Sequence, residues 1–362
     1  MLRNSSILLL TILLLFSTTA CDEEIQRNLR AIPTAFGPIN QINVIADQDV
    51  WEGRTGDTIR FYYTSAYLIL PQPEAIFDLR HFTPEQLNEA PLRKELRSYL
   101  VVADLSDDDS PTTRLVKKDV GSEVARKAEE DPSFRSAVGR DKWAKGQLVI
   151  YQFAPSEDEL IEAIVEDFPK VKKRFNQADR SRIEATVFVG GEDRKLMEEV
   201  RQEMGVRMRI PSDYVMAISE DNFTWLRRET AETSSNLMMT RIPYDDQSQL
   251  SKSGIISLRD SLGREYVSST LPNTYMKVND TDLPVIVSTV SIDNKYALEA
   301  RGIWEIENDF MGGPFISYLI HNPNREELLF VDGFVYAPGE DKRDLMQQLE
   351  FVISTINFPG EG

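Results

Sequence analysis

The chain has 362 residues, and its 41 lysines and arginines stand against 59 aspartates and glutamates, a net charge of −18. Such an acidic polypeptide is repelled by phosphate backbones and anionic head groups, so nucleic acid is not an expected partner. Hydrophobic residues at 41% suffice for one large or two ordinary cores, while two histidines and one cysteine exclude zinc clusters, histidine-rich metal sites and Cys/His catalytic pairs by inventory.

The N-terminus reads as an export signal. Arg3 precedes the apolar stretch Ile7–Phe16, and Ser17-Thr18-Thr19-Ala20 leads to Cys21. About ten apolar residues fall short of the roughly twenty that a spanning helix needs, so the segment is expected to be removed. Cys21 then stands where lipoprotein processing attaches a diacylglycerol, whose methylenes contribute about 0.8 kcal/mol each to membrane attachment. Thr18 replaces the usual leucine of that motif. A conventional signal cleaved at Ala20 would leave an unpaired thiol in an oxidising compartment. Residues 21–30, with Asp22-Glu23-Glu24, form an acidic tether.

The next stretch alternates apolar runs with amphipathic ones. Ile42–Ala46 predicts a strand, and Asp49–Tyr63 a helix capped by Asp47 or Asp49. Leu70–Glu74 breaks the chain before a strand at Ile76–Phe82, and Thr83-Pro84-Glu85-Gln86 has the cap residue and proline of a helix start. Ser98–Asp104 predicts a strand buried on both faces. Asp107–Pro111 is a turn without the glycine and spacing of a calcium loop. A helical region is expected from Thr112 to Val138, then a strand at Gly146–Phe153. Ser156 opens a long helix with Leu160, Ile164, Phe168, Val171 and Phe175 on one face; Pro169 is expected to kink it. A shorter helix, Lys195–Met204, stops at Gly205.

From Val206 the pattern turns to strands: 207–210, 214–219, 223–229 and 237–242, then a helix at 247–262. Further strands follow at 285–292, 297–306, 314–320 and 328–336, with a closing helix at 341–355. The expected fold class is α+β, with mostly antiparallel twisted sheets and packed helices. Gln152–Leu160 echoes Val335–Leu345, each an Ala-Pro-x-Glu-Asp helix start after a strand. The echo leaves open two related α/β subdomains joined by central helices, or plain helix-start chemistry used twice. The expected division is a signal peptide 1–20, a tether 21–30, an N-terminal α/β half 31–205 and a β-rich C-terminal half 206–358.

Several marks carry a resemblance. Arg301-Gly302-Ile303-Trp304, Asp309–Phe315, Gly333–Pro338 and Lys342-Arg343, with Asp47, Trp51, Leu70–Glu74, Phe77 and Arg259-Asp260-Ser261 earlier, resemble an uncharacterised Bacteroidota lipoprotein family, domain of unknown function 4837, over about 33–358. The resemblance implies an envelope lipoprotein with no assigned activity, cofactor or catalytic residue. In that phylum an acidic cluster after the lipidated cysteine resembles a surface-export signal; the other reading of Asp22-Glu23-Glu24 is a solvated tether. It also implies that Asp57-Thr58-Ile59 and Asp260-Ser261-Leu262 match O-glycosylation triplets.

Candidate chemistry is sparse. Met311-Gly312-Gly313-Pro314-Phe315 suits a tight turn, or a ligand held against backbone N–H groups with Arg301 and Trp304 nearby. Trp51–Asp57 lacks the ending of a phosphate loop. Glu74, Glu305, Glu307 and Asp309 are the acids that a glycoside-hydrolysing pair would draw on. His81 and His321 are expected in structural or surface roles, and no metal or cofactor site is read. The expected function is a non-catalytic binding or assembly module, anchored to the outer membrane by acyl chains on its periplasmic side or at the cell surface, for an envelope protein, peptide or glycan. The alternative is a carboxylate-dependent envelope hydrolase acting on glycan or peptide.

Overall fold

Strands β3 (Ser98–Asp104) and β5 (Leu148–Ala154) are near-continuous apolar runs that lie parallel in the middle of one sheet with β1 (Gln41–Ile45), which buries Gln41 and Asn43 among its apolar residues, and all three are buried along almost their whole length. The computed structural model describes residues 32–131 and 133–360. Cys21, the export segment and the acidic tether lie outside the described residues. The edge strands β2 (Asp78–Phe82) and β4 (Ser136–Arg140) complete the order β2-β1-β3-β5-β4, and both alternate exposed and half-buried residues as edges do. Strand β4 runs antiparallel to β5. Ile45, Tyr99, Val101, Val149 and Phe153 build the core beside this sheet.

The helices of this region follow their local signals with two differences. The expected helix 49–63 is split at Gly53 into α1 (Gln48–Glu52) and α2 (Arg54–Tyr63). Asp47 caps neither. Its carboxylate instead accepts from the Ser110 hydroxyl and from the Thr112 amide (3.2 Å) and hydroxyl (2.8 Å), at the start of α4 (Pro111–Val120). Thr83 caps α3 (Pro84–Glu89) as expected, and with Gln86 it forms a full capping box. The helical region expected to reach Val138 divides at Gly121 (φ 100°), continues as α5 (Ser122–Glu130) and ends there. Asp131, preceding a proline, is extended (φ −141°), and residues 136–140 become β4 by pairing with β5.

The long helix α6 (Glu157–Val187) runs through Pro169, which removes one backbone donor without ending the helix. Helix α7 (Arg194–Met204) stops at Gly205 in the left-handed region (φ 70°), as its sequence predicts. Strands β6 (Val215–Glu220), β7 (Phe223–Glu229), β8 (Ser234–Pro243), β9 (Met276–Asn279), β10 (Ile286–Ile292), β11 (Lys295–Ile306), β12 (Gly312–Asn322) and β13 (Glu327–Tyr336) form an antiparallel sheet. Its order is β10-β11-β12-β13-β8-β7-β6, with β9 on the far end of β11. Residues 207–210 are not a strand; Arg207 only bridges to Asn357.

Alternation along these strands buries both faces of the sheet. Ile316, Ile320, Val331 and Val335 pack on one face with α7 and α9 (Arg343–Ile353). Leu298, Phe315, Phe330 and Phe334 pack on the other with α8 (Lys252–Tyr266) and Met276. The fold is therefore α+β. The two Ala-Pro echoes follow strands of different kinds, parallel β5 and antiparallel β13. By its contacts the chain divides into two compact units. Among the described residues, one comprises those up to Pro38 with Ile42–Thr55 and Arg80–Ala163; the other comprises Ile39–Gln41, Gly56–Leu79 and those from Ile164 onward.

Candidate functional site

The apolar face of α6 is turned inward at Val171 and Phe175, so helical periodicity brings Lys172, Lys173, Asn176, Gln177 and Arg180 together on another face. That stripe lines a cleft of about 590 Å³. Glu299 and Arg301 of β11 and Tyr318 of β12 line it from the sheet, where Glu299 and Tyr318 are cross-strand partners. Helix α9 contributes Gln347, Glu350 and Phe351 and its C-cap residue Ser354, spaced three, one and three residues apart on one face, and Tyr67 completes the lining. Asn40 helps to position both helices: its amide N–H donates to Asp179 of α6 (2.9 Å), and its side chain exchanges two hydrogen bonds with Gln347 of α9 (2.8 and 3.1 Å).

Arg301 is the hub of the cleft. Its Nε donates to Glu299 (2.7 Å), and its Nη1 to Glu350 (2.6 Å), which also accepts from the Tyr67 hydroxyl. Burial raises the Tyr67 phenol well above the tyrosine range, and the Glu350 charge adds to this; burial and then Glu299 do the same for Tyr318. The opposite wall is cationic. Arg180 lies over the Phe351 ring (4.8 Å) and donates to the Ser354 hydroxyl (3.0 Å). Among the described residues, Lys172, Lys173, Asn176 and Gln177 have no hydrogen-bond or ion-pair partner. Burial lowers the Lys172 ammonium below the lysine range, and the neighbouring Arg301 guanidinium pushes it the same way. Both acids of the cleft are thus committed to one arginine, and three further cations face it.

Of the residues singled out in the sequence, only Arg301 belongs to the cleft. Gly312, Gly313 and Pro314 lie in β12, paired with Glu305, Trp304 and Ile303, and are not in a turn. The reversal falls earlier, where Asn308 takes a positive φ (62°). Trp304 is buried on the other face of the sheet and donates to the Val335 carbonyl (3.2 Å). A Cβ on Gly313 would overlap that same carbonyl oxygen. The glycine therefore serves a close backbone approach, and Arg301 and Trp304 do not share a site.

The candidate acids have structural partners. Glu74 accepts from the backbone N–H groups of Lys342 (2.7 Å) and Arg343 (2.8 Å) at the start of α9. Glu305 and Glu307 share Lys277 (3.2 and 2.5 Å), and Asp309 accepts from the Phe310 amide (2.7 Å). His81 stacks on Trp51 (4.8 Å) and hydrogen-bonds the Ala46 carbonyl (2.9 Å); His321 lies against Tyr244 (4.4 Å). Among the described residues no group of acids, histidines or cysteines has the arrangement of a metal site. The polar stripe of α6 was readable in the sequence, but a solvated helix face looks the same there.

Two family models match the chain, both described as domains of unknown function: DUF8532 over residues 35–188 and DUF4837 over 193–355. The second is the family read from the sequence over 33–358, so the N-terminal part of that resemblance belongs to a different family model. No curated protein matches the sequence. Solved structures similar to parts of it include the Saccharomyces cerevisiae Ran-binding protein Mog1p (TM-score 0.29, 7% identity, 42% of this chain and 89% of that one). Human StAR-related lipid transfer protein 5 is another (TM-score 0.21, 10% identity, 49% and 95%). At these scores the likenesses carry no argument. The chain thus matches two families whose functions are undefined.

Proposed function

We propose that the mature chain is a lipid-anchored envelope protein of the Bacteroidota kind whose globular part is a non-catalytic binding module, with the cleft as its ligand site. One observation carries the binding reading: Glu299 and Glu350 are both tied to Arg301, while amides and ammonium groups without a partner among the described residues face the opening. Hydrolysis of a glycan would need two acids placed to handle a proton and a water across the substrate. The acids of this cleft hold a guanidinium instead, which suits recognition. The address rests on Cys21 and the export segment before it, and places the module on the outer membrane, on the periplasmic side or at the cell surface.

The test uses the full-length protein purified from its native envelope. Native mass spectrometry should find a retained non-covalent ligand, and Asn176→Trp, which fills the cleft from an exposed helix position, should lose it with the fold intact. Retention unaffected by Asn176→Trp would reject the cleft as the site. Cys21→Ala should release the protein from membranes, and unchanged sedimentation with them would reject the acyl anchor.

A further inference from the structure

The cleft's cations exceed its acids in a chain of net charge −18, and they are spread along its length. Lys172 and Arg180 lie eight residues apart on α6, roughly 12 Å at the helical rise. A single small ion cannot reach both, whereas an elongated ligand can. Between them Asn176 and Gln177 present carboxamides, each able to donate and to accept, and neither has a partner among the described residues. We propose, resting on the cleft as the binding site, that its ligand is a short acidic oligosaccharide, with one carboxylate or phosphate beside Lys172 and Arg301, hydroxyls against Asn176 and Gln177, and a second acid group toward Arg180.

Two features separate this ligand from an acidic peptide. A peptide bound by strand addition needs a free sheet edge, but β11 is paired with β10 and β12, and β12 with β11 and β13. A helix laid in a groove needs a row of apolar anchors, and Pro169, Ile183 and Phe351 are the cleft's apolar lining beside twelve charged, amide or hydroxyl side chains. The reduced proton affinity of Lys172 fits the same picture: burial and the nearby Arg301 disfavour this half-buried ammonium, which has no carboxylate of its own, and an anion would relieve it.

Isothermal titration of the full-length chain in detergent with digalacturonate, maltose, inorganic phosphate and triglutamate tests the assignment. Digalacturonate should bind about tenfold or more tighter than neutral maltose, and less tightly as salt is raised. Lys172→Gln should weaken it about tenfold and Arg180→Gln several-fold, while Lys170→Gln, on the same helix but paired with Asp167 (3.2 Å), should leave it within about twofold. If Lys172→Gln fails to fold, the exposed Lys173→Glu takes its place with the same expectation. Equal binding of maltose, tighter binding of triglutamate or phosphate through these residues, or no loss in Lys172→Gln/Arg180→Gln would overturn the proposal. If the envelope-derived ligand is lost from Asn176→Trp yet digalacturonate does not bind, the cleft remains the site and the acidic saccharide is refuted.

Discussion

Arg259 and Asp332 form an ion pair (Nε to Oδ1, 3.1 Å) deep between α8 and the antiparallel sheet, each about 1% exposed or less. The Ser317 hydroxyl donates to the same carboxylate (2.6 Å), and the guanidinium lies over the Phe315 ring (4.0 Å). Burial raises the Asp332 carboxyl, and Arg259 and Ser317 offset this only in part. Arg259→Met should therefore cost about 3–5 kcal/mol by stranding a buried charge, and adding Asp332→Asn should recover most of it. The sign with pH follows from the direction of the shift. A carboxyl raised in the folded state contributes stability below the ordinary aspartate range and loses it as pH rises through the folded value. The shift grows without Arg259, so the deficit of Arg259→Met in urea unfolding should shrink from pH 7 to pH 4.5. Equal deficits at both would contradict a lone ionisable Asp332.

Gly313 should be the least replaceable glycine of the sheet. Its absent side chain lets the Trp304 indole reach the Val335 carbonyl, and a Cβ would strike that oxygen and crowd the indole nitrogen (3.1 Å). Gly313→Val is expected to destabilise by about 3 kcal/mol or more through overpacking against backbone, read as a fall in thermal midpoint. A stable Gly313→Val with weakened ligand binding would show that the glycine serves a ligand.

Glu74 acts as a remote cap. Helix α9 begins at Arg343 without a capping bond from its own N-cap residue Lys342, and Glu74 accepts from both amides there. Glu74→Ala should cost about 1–2 kcal/mol. Because α9 carries Glu350 and Phe351 into the cleft, hydrogen exchange should rise first along its opening turn. Unchanged exchange there would mean that solvent caps the helix equally well.

What could be read in the sequence was what short stretches decide. The buried runs of β3 and β5, the Thr83 cap with its first-turn proline and the Gly205 stop follow from neighbours in the chain. Strand β4 did not, since Ser136–Arg140 is a strand only because β5 offers an edge. The sequence marks Arg301 beside Trp304, but residues three apart in a strand point to opposite faces. Its actual partners, Glu350 and Tyr67, are distant in the chain, and no local pattern announces them. Arg259 was likewise visible as a mark, but Asp332 became its counterion only through the fold.

Buried phenols make the fold sensitive to alkali, and two of them, Tyr67 and Tyr318, line the cleft. Burial, followed by nearby acids, raises Tyr67 and Tyr318 above the tyrosine range, and burial does the same for Tyr63 and Tyr214. For a group raised in the folded state, the stabilising contribution is full below the unfolded value, about pH 10 for tyrosine, and is lost as pH rises through the folded value. Stability should therefore be level with respect to these groups from pH 8 to about 9.5 and fall above it, by up to about 1.4 kcal/mol per pH unit for each phenol that ionises only on unfolding. Tyr67→Phe gives up the bond to Glu350, worth about 1–3 kcal/mol to a charged acceptor, so it should be less stable at pH 7. Its decline above pH 10 should nevertheless be shallower by one phenol's share, so the two unfolding curves converge. A Tyr67→Phe slope identical to wild type would mean that this hydroxyl already ionises in the folded cleft.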